Sequence, residues 1–140
     1  MIDTEKALED YTITCERYMI TDDKKNTRDA YLQHLMESYA AEDYNKLIDV
    51  IGIEYISLPS DNQKHFAELT IEVLASLLFA SKDYDGLREL VEDKPLTSLI
   101  GLLLSSAELC EEEPSYHREF MECFGYSTDK AIDKEGYINA

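Results

Sequence analysis

The segment Ala40-Ala41-Glu42-Asp43-Tyr44-Asn45-Lys46-Leu47-Ile48-Asp49-Val50-Ile51 aligns without gaps on Ala80-Ser81-Lys82-Asp83-Tyr84-Asp85-Gly86-Leu87-Arg88-Glu89-Leu90-Val91, 40 positions later. Each copy follows an apolar helical stripe that ends near Tyr39 or Phe79. Weaker echoes at Glu9-Asp10-Tyr11 and Pro114-Ser115-Tyr116 give tyrosine spacings of 33, 40 and 32 residues, the length of one helical hairpin per unit. In such a unit the Asp is placed to cap the second helix. The Tyr packs across the turn, and Leu47 or Leu87, one turn later, faces the first helix. The pattern predicts an all-α fold of antiparallel helical hairpins, stacked in a short solenoid-like array of about seven helices.

Apolar residues recur at three- and four-residue spacing through most of the chain, and only 5 Gly and 3 Pro interrupt them. Asn26, with Asp29 three residues on, is expected to cap the second helix. Gly52 is expected to end the third, with Ile53, Tyr55, Ile56 and Leu58 following as an extended connector. Ser60 and Gln63 read as a capping box for a fourth helix. Its Leu69, Val73, Leu74, Ala75, Leu77, Leu78 and Phe79 leave it apolar almost all round, so it belongs at the centre. Pro95 and Pro114 suit the first turns of the sixth and seventh helices, and Gly125 the end of the seventh. The reading gives one helical domain over residues 1–126 and a C-terminal tail over 127–140.

The 140 residues carry 30 acidic and 13 basic side chains, a formal charge of −17, and 44% are hydrophobic. A chain of this length buries roughly 68% of its unfolded surface, enough for a core without disulfide or metal staples. Charge of this sign repels nucleic acid phosphates and anionic membranes, so direct binding to either is not expected; the complementary partner is a basic protein. The start Met1-Ile2-Asp3-Thr4-Glu5-Lys6 has neither the basic residues nor the apolar stretch of a secretory signal, and the expected location is cytoplasmic. The apolar blocks from Ile71 to Ala80 and Leu96 to Leu104 are too short to cross a bilayer. Cys15, Cys110 and Cys123 lack CxxC spacing, so free thiols are expected rather than a disulfide framework or zinc site, although Cys110 and Cys123 fall on neighbouring helices.

If second helices form one layer, that layer is the acidic one. Residues 41–51, 81–93 and 111–124 carry formal charges of −2, −3 and −4, whereas the three first helices total −4. Helix amino ends account for some of these acids. They do not require Glu111-Glu112-Glu113 followed by Glu119 and Glu122. The candidate partner-binding residues are therefore Asp83, Asp85, Glu89 and Glu92 in one segment, and Glu111, Glu112, Glu113, Glu119 and Glu122 in the other, with Tyr116 as aromatic anchor. Tyr39, Tyr44 and Tyr84 are assigned to packing.

No catalytic constellation is legible. GxSxG, P-loop, GxGxxG, HExxH and EF-hand patterns do not occur in the sequence. His34, His65 and His117 fall on different helices without the Glu-x-x-His pairs of a dimetal bundle. The expectation is a protein that is not an enzyme and takes no cofactor or metal.

The stretch from Asp29 to Ser106 adds a family likeness. Tyr31-Leu32-Gln33-His34-Leu35-Met36-Glu37-Ser38-Tyr39-Ala40-Ala41, then Phe66-Ala67-Glu68-Leu69 to Leu77-Leu78, then Leu87-Arg88-Glu89-Leu90-Val91 and Leu99-Ile100-Gly101-Leu102-Leu103-Leu104 resembles the helical immunity proteins that bacteria make against polymorphic nuclease toxins. The likeness lies in hydrophobic pattern over about half the chain. It implies an all-helical, non-catalytic protein that neutralises a cognate toxin by covering its basic active-site region with acidic residues. Two other functions fit the same residues: a phage-type nucleic acid mimic that blocks a DNA-binding defence protein, and a small helical-repeat adaptor that holds peptides in a groove.

Overall fold

Among the described residues there are seven α-helices, in the order α1 Thr4–Ile20, α2 Lys24–Ser38, α3 Tyr44–Ser57, α4 Ser60–Ala80, α5 Tyr84–Val91, α6 Ser98–Glu112 and α7 Tyr116–Cys123, with a 3-10 turn Ala41–Asp43 ahead of α3. The computed structural model describes residues 2–123, and among them there is no strand. Gly125, the domain bound at 126 and the 127–140 tail lie outside the described residues. No described helix is long and apolar enough to cross a membrane. The fold is all-α.

Helix α4 is central, as its sequence requires. Every residue from Leu69 to Ala80 is buried, and α4 packs against α1, α2, α3, α5 and α6. A helix buried on all sides carries its few polar groups inward, and each must find a partner there. Thr70 pairs with the Tyr11 hydroxyl at 2.9 Å, and the Ser76 hydroxyl donates to the Glu72 carbonyl at 2.8 Å. The Glu72 carboxylate accepts from Arg28 at 3.0 Å and from Thr97 at 2.7 Å. That one side chain ties α2, α4 and the start of α6 together.

The expected hairpins form in two of three places. Helices α4 and α5 pack closely across a short turn, as do α6 and α7. Helix α3 instead packs on α4 and α1, and α2 and α3 touch little. The second helices do not form one mutually packed layer, because neither α3 with α5 nor α5 with α7 is among the well-packed pairs.

The two strong repeat copies share their buried leucines but not their caps. Leu47 and Leu87 are both fully buried. Tyr84 tilts against Phe79 across its turn, with ring centroids 5.9 Å apart, and Tyr44 is buried at its own turn. Helix α4 ends with Lys82 at φ 65°, the left-handed position, while the Asp83 amide reaches the Leu78 carbonyl and the Lys82 amide reaches Phe79. This is the Schellman arrangement. It delivers Asp83 to the amino end of α5, where its carboxylate accepts from the Gly86 amide at 2.9 Å. The fit is tight: a Cβ on Gly86 would lie 2.5 Å from an Asp83 carboxylate oxygen. Asp43 sits in helical backbone at the end of the 3-10 turn (φ −94°, ψ −6°) and makes no side-chain cap, because a cap needs the extended geometry that Asp83 approaches.

Local boundaries correct several expectations. Asp23, not Asn26, caps α2: its carboxylate accepts from the Asn26 amide at 3.1 Å, and the Asn26 side chain donates to it as well. Gly52 does not end α3, and Ile53, Tyr55 and Ile56 are helical rather than extended. Ile53 and Ile56 are 66% and 73% exposed, so these apolar residues lie on the solvent side and give no core-facing period. The helix stops where Leu58 precedes Pro59, which forces it into extended backbone (ψ 148°). Ser60 is inside α4 and forms no capping box. Gln63 instead donates backward to the Ile56 and Leu58 carbonyls at 2.8 and 2.9 Å, closing the end of α3. Pro95 precedes α6, whose cap is Thr97, accepting from the Ile100 amide at 3.3 Å. Pro114 likewise lies in the turn before α7.

Two outcomes follow. Gly52→Ala meets open space where its Cβ points and removes a flexible residue from the middle of a helix, so stability rises by about 0.5–1 kcal/mol in urea unfolding. Asp83→Ala lowers it by about 1 kcal/mol through the lost cap, while Asp43→Ala stays within about 0.5 kcal/mol of wild type. Equal effects of the two aspartates show that the turns are equivalent, against the geometry described.

Candidate functional site

All nine predicted acids and Tyr116 are exposed, but the structure divides them into two groups and employs some of them internally. On α5, Asp85, Glu89 and Glu92 fall at i, i+4 and i+7, on one side of the helix. On the flank of α6 that meets α5, Leu104, Glu108 and Glu111 follow the same spacing. Arg88 joins the flanks: it bonds Glu111 through both guanidinium ends, one contact at 3.1 Å, and Asp85 at 3.3 Å. Hydrogen bonding to Arg88 holds the Glu111 carboxyl below its usual range. Glu108 adds to the field that raises Arg88.

Beside these charges lies an apolar depression. Val91, Leu96 and Leu104 line a shallow hollow of about 690 Å³ together with Arg88, Glu89, Glu92 and Lys94. Leu96 is 72% exposed because the connector after α5 carries it past the core before Thr97 starts α6. Glu89, Glu92 and Glu108 make no ion pair among the described residues. The surface is an apolar centre with Glu89 and Glu92 at its margin beside Arg88 and Lys94.

The second group is built differently. Glu112 and Glu113 close α6, and Glu113 accepts from the Ser115 hydroxyl at 3.1 Å. On α7, Glu122 pairs with Arg118 at 3.5 Å, and Tyr116 stands edge-on to Phe120, centroids 6.1 Å apart. Because α5 and α7 are not well packed together, Glu119 and Glu122 are not gathered with Glu89 and Glu92. Asp83 serves as a helix cap, as described above. Sequence reasoning missed Glu108, Leu96 and Leu104 as members of the first group. The i, i+4, i+7 spacing of Leu104, Glu108 and Glu111 was the available signal.

The histidines and cysteines are placed as follows. His117 is buried, with its Nε2 2.9 Å from the Phe79 carbonyl and its ring stacked on Phe79 at 5.2 Å. His34 lies on the surface with Nε2 3.0 Å from an Asp10 carboxylate oxygen and Nδ1 3.4 Å from the Ser38 hydroxyl. That chain links α1 to α2. His65 is exposed. No group of three or more His, Cys, Asp or Glu side chains among the described residues could hold a metal ion. All three cysteines are free; Cys15 and Cys110 are buried and Cys123 is exposed. Burial pushes the Cys15 thiol up to about 11 and raises Cys110 as well.

Comparison with family models, curated proteins and solved structures finds no match. The site therefore rests on its own geometry.

One acid outside the surface groups carries structural weight. The Arg28 and Glu72 side chains are 12% and 4% exposed. Burial opposes the charge on Arg28, but its hydrogen bonds to Glu72 and Asp29 outweigh that and raise its pKa. Arg28→Met leaves the Glu72 carboxylate buried without its cation and lowers stability by about 3 kcal/mol, read as a shifted urea midpoint. Arg88→Met breaks only exposed pairs, and its midpoint stays close to wild type.

Proposed function

We propose that this protein is a non-catalytic, acidic inhibitor that binds one basic protein, and that it acts as an immunity protein against a nuclease-type bacterial toxin. The observation that carries the reading is Leu96, 72% exposed in an apolar hollow lined by Glu89 and Glu92 beside Arg88 and Lys94, with Glu108 one turn beyond Leu104 on α6. A hollow of this kind receives an apolar or aromatic anchor, and the surrounding carboxylates meet lysines and arginines of the partner. With a net charge of −17, long-range attraction raises the rate of encounter, while the desolvated anchor sets the rate of release. Neutralisation then needs no chemistry. Covering a basic active-site surface excludes the phosphate backbone that the toxin must reach.

Internal pairing defines which acids are available. Arg88 occupies Glu111 and Asp85, so the carboxylates left for a partner on this flank are Glu89, Glu92 and Glu108. Glu112, Glu119 and Tyr116 on the α6–α7 end extend the negative surface to a second, separate patch. Both patches carry the charge on which the resemblance to immunity proteins depends for its mechanism.

The reading is tested with two charge-reversal variants and one anchor variant. The partner is a basic toxin domain that wild-type protein retains in a one-to-one complex at low salt. Glu89→Lys, Glu92→Lys and Glu108→Lys together slow association about tenfold or more and flatten its salt dependence, with helicity unchanged. Leu96→Asp speeds dissociation instead. Reversal of Glu112, Glu119 and Glu122 has the smaller effect. If wild type binds many basic DNA-binding proteins alike and unrelated free DNA competes with it for them, the protein is a mimic of nucleic acid charge rather than a cognate inhibitor. Unchanged association in the first triple variant removes the Leu96 surface as the binding face.

A further inference from the structure

A second concavity also borders the α5–α6 connector, at Lys94, Pro95 and Thr97. Helix α4 presents Lys64, Ala67, Glu68 and Ile71 at i, i+3, i+4 and i+7, and the connector crosses this face at Lys94 and Pro95 before α6 contributes Ile100. Together they enclose a pocket of about 240 Å³. Its walls are Ala67, Ile71, Pro95 and Ile100, and Ile71 and Ile100 are themselves 7% and 3% exposed. A volume equal to about eight waters lies below the range of sites for drug-sized ligands. The occupant is small and has an apolar body.

Charge at this pocket departs from the rest of the molecule. Glu72 borders it, but both its oxygens are taken, by Arg28 and Thr97, and Arg28 neutralises it. That leaves the ammoniums of Lys64 and Lys94 with the carboxylate of Glu68 at the pocket and that of Asp93 beside Lys94. Lys64 has no ion pair among the described residues. Lys94 is paired only with exposed Asp93, at 2.6 Å, a contact that a competing anion replaces at small cost. In a chain of net charge −17, two ammoniums beside an apolar pocket select an anion with a hydrocarbon tail.

We infer that this pocket binds a small monocarboxylate with a short unbranched chain, its carboxylate between Lys64 and Lys94 and its chain against Ala67, Ile71, Pro95 and Ile100. The inference is independent of the inhibitor reading and survives its failure. Hexanoate, with eight non-hydrogen atoms, matches the volume. Titration of hexanoate into the full chain gives saturable shifts of the Ile71 and Ile100 methyl resonances and a heat signal of the same midpoint. Hexanol, of similar length and without charge, binds about fivefold more weakly, and hexylammonium more weakly still. Lys64→Gln with Lys94→Gln removes the preference for hexanoate over hexanol while leaving hexanol binding in place. Ala67→Leu fills the pocket and abolishes binding of both. The proposal is overturned by linear, unsaturable shifts, by hexanol or hexylammonium binding as well as hexanoate, or by unchanged hexanoate binding in Ala67→Leu.

Discussion

The buried run of α4 from Leu69 to Ala80 constrains everything else in this molecule. A helix that is inside on every face needs neighbours on every face, and α1, α2, α3, α5 and α6 supply them. The polar residues within that run set how the neighbours are arranged. Thr70 fixes Tyr11 of α1, Ser76 closes on its own helix, and Glu72 requires Arg28 of α2 and Thr97 at the start of α6. The Arg28–Glu72 pair adds little net stability over an apolar pair of equal size, since desolvation offsets the Coulomb gain. In this arrangement the one carboxylate holds both α2, through Arg28, and the start of α6, through Thr97.

The same constraint shapes the surface. Thr97 is drawn to Glu72, so the connector from Glu92 to Leu96 must span from the end of α5 to that point. Its path lifts Leu96 into solvent between two acidic flanks. It also lays Lys94 and Pro95 over the Ile71 face of α4. One connector therefore borders two concavities, with Lys94 at the margin of both. The hollow around Leu96 is open and shallow, with Glu89 and Glu92 beside Arg88 and Lys94 at its margin. The pocket beneath Pro95 is smaller and has Lys64 and Lys94 beside Glu68 at its margin.

Periodicity in the sequence makes much of this legible. The all-round apolar character of α4 placed it at the centre, and the Asp-Tyr repeat located the turns before α3 and α5. The equivalence of those turns was not legible, because capping depends on backbone angles that Asp43 and Asp83 do not share. Gly52 misled because glycine inside a helix costs only about 1 kcal/mol, which packing of α3 on α4 and α1 outweighs. The exposed Ile53 and Ile56 misled for the opposite reason, being apolar residues with no core role. At the candidate site, the acids were visible as charge runs, but their division between flanks was not. Arg88 bridging to Glu111 across 23 residues and the apolar hollow at Leu96 arise from tertiary packing, which composition does not encode.

The proposed function places the basic partner on the hollow at Leu96, beside Glu89 and Glu92. Amide hydrogen exchange across the chain, measured free and in the complex, tests it most directly. The account predicts new protection in α5, in the connector through Leu96 and in the Leu104 to Glu111 half of α6, with α1 to α3 unchanged. Protection confined to α1, α2 and α3, with exchange in α5 and the connector unaltered, would contradict it.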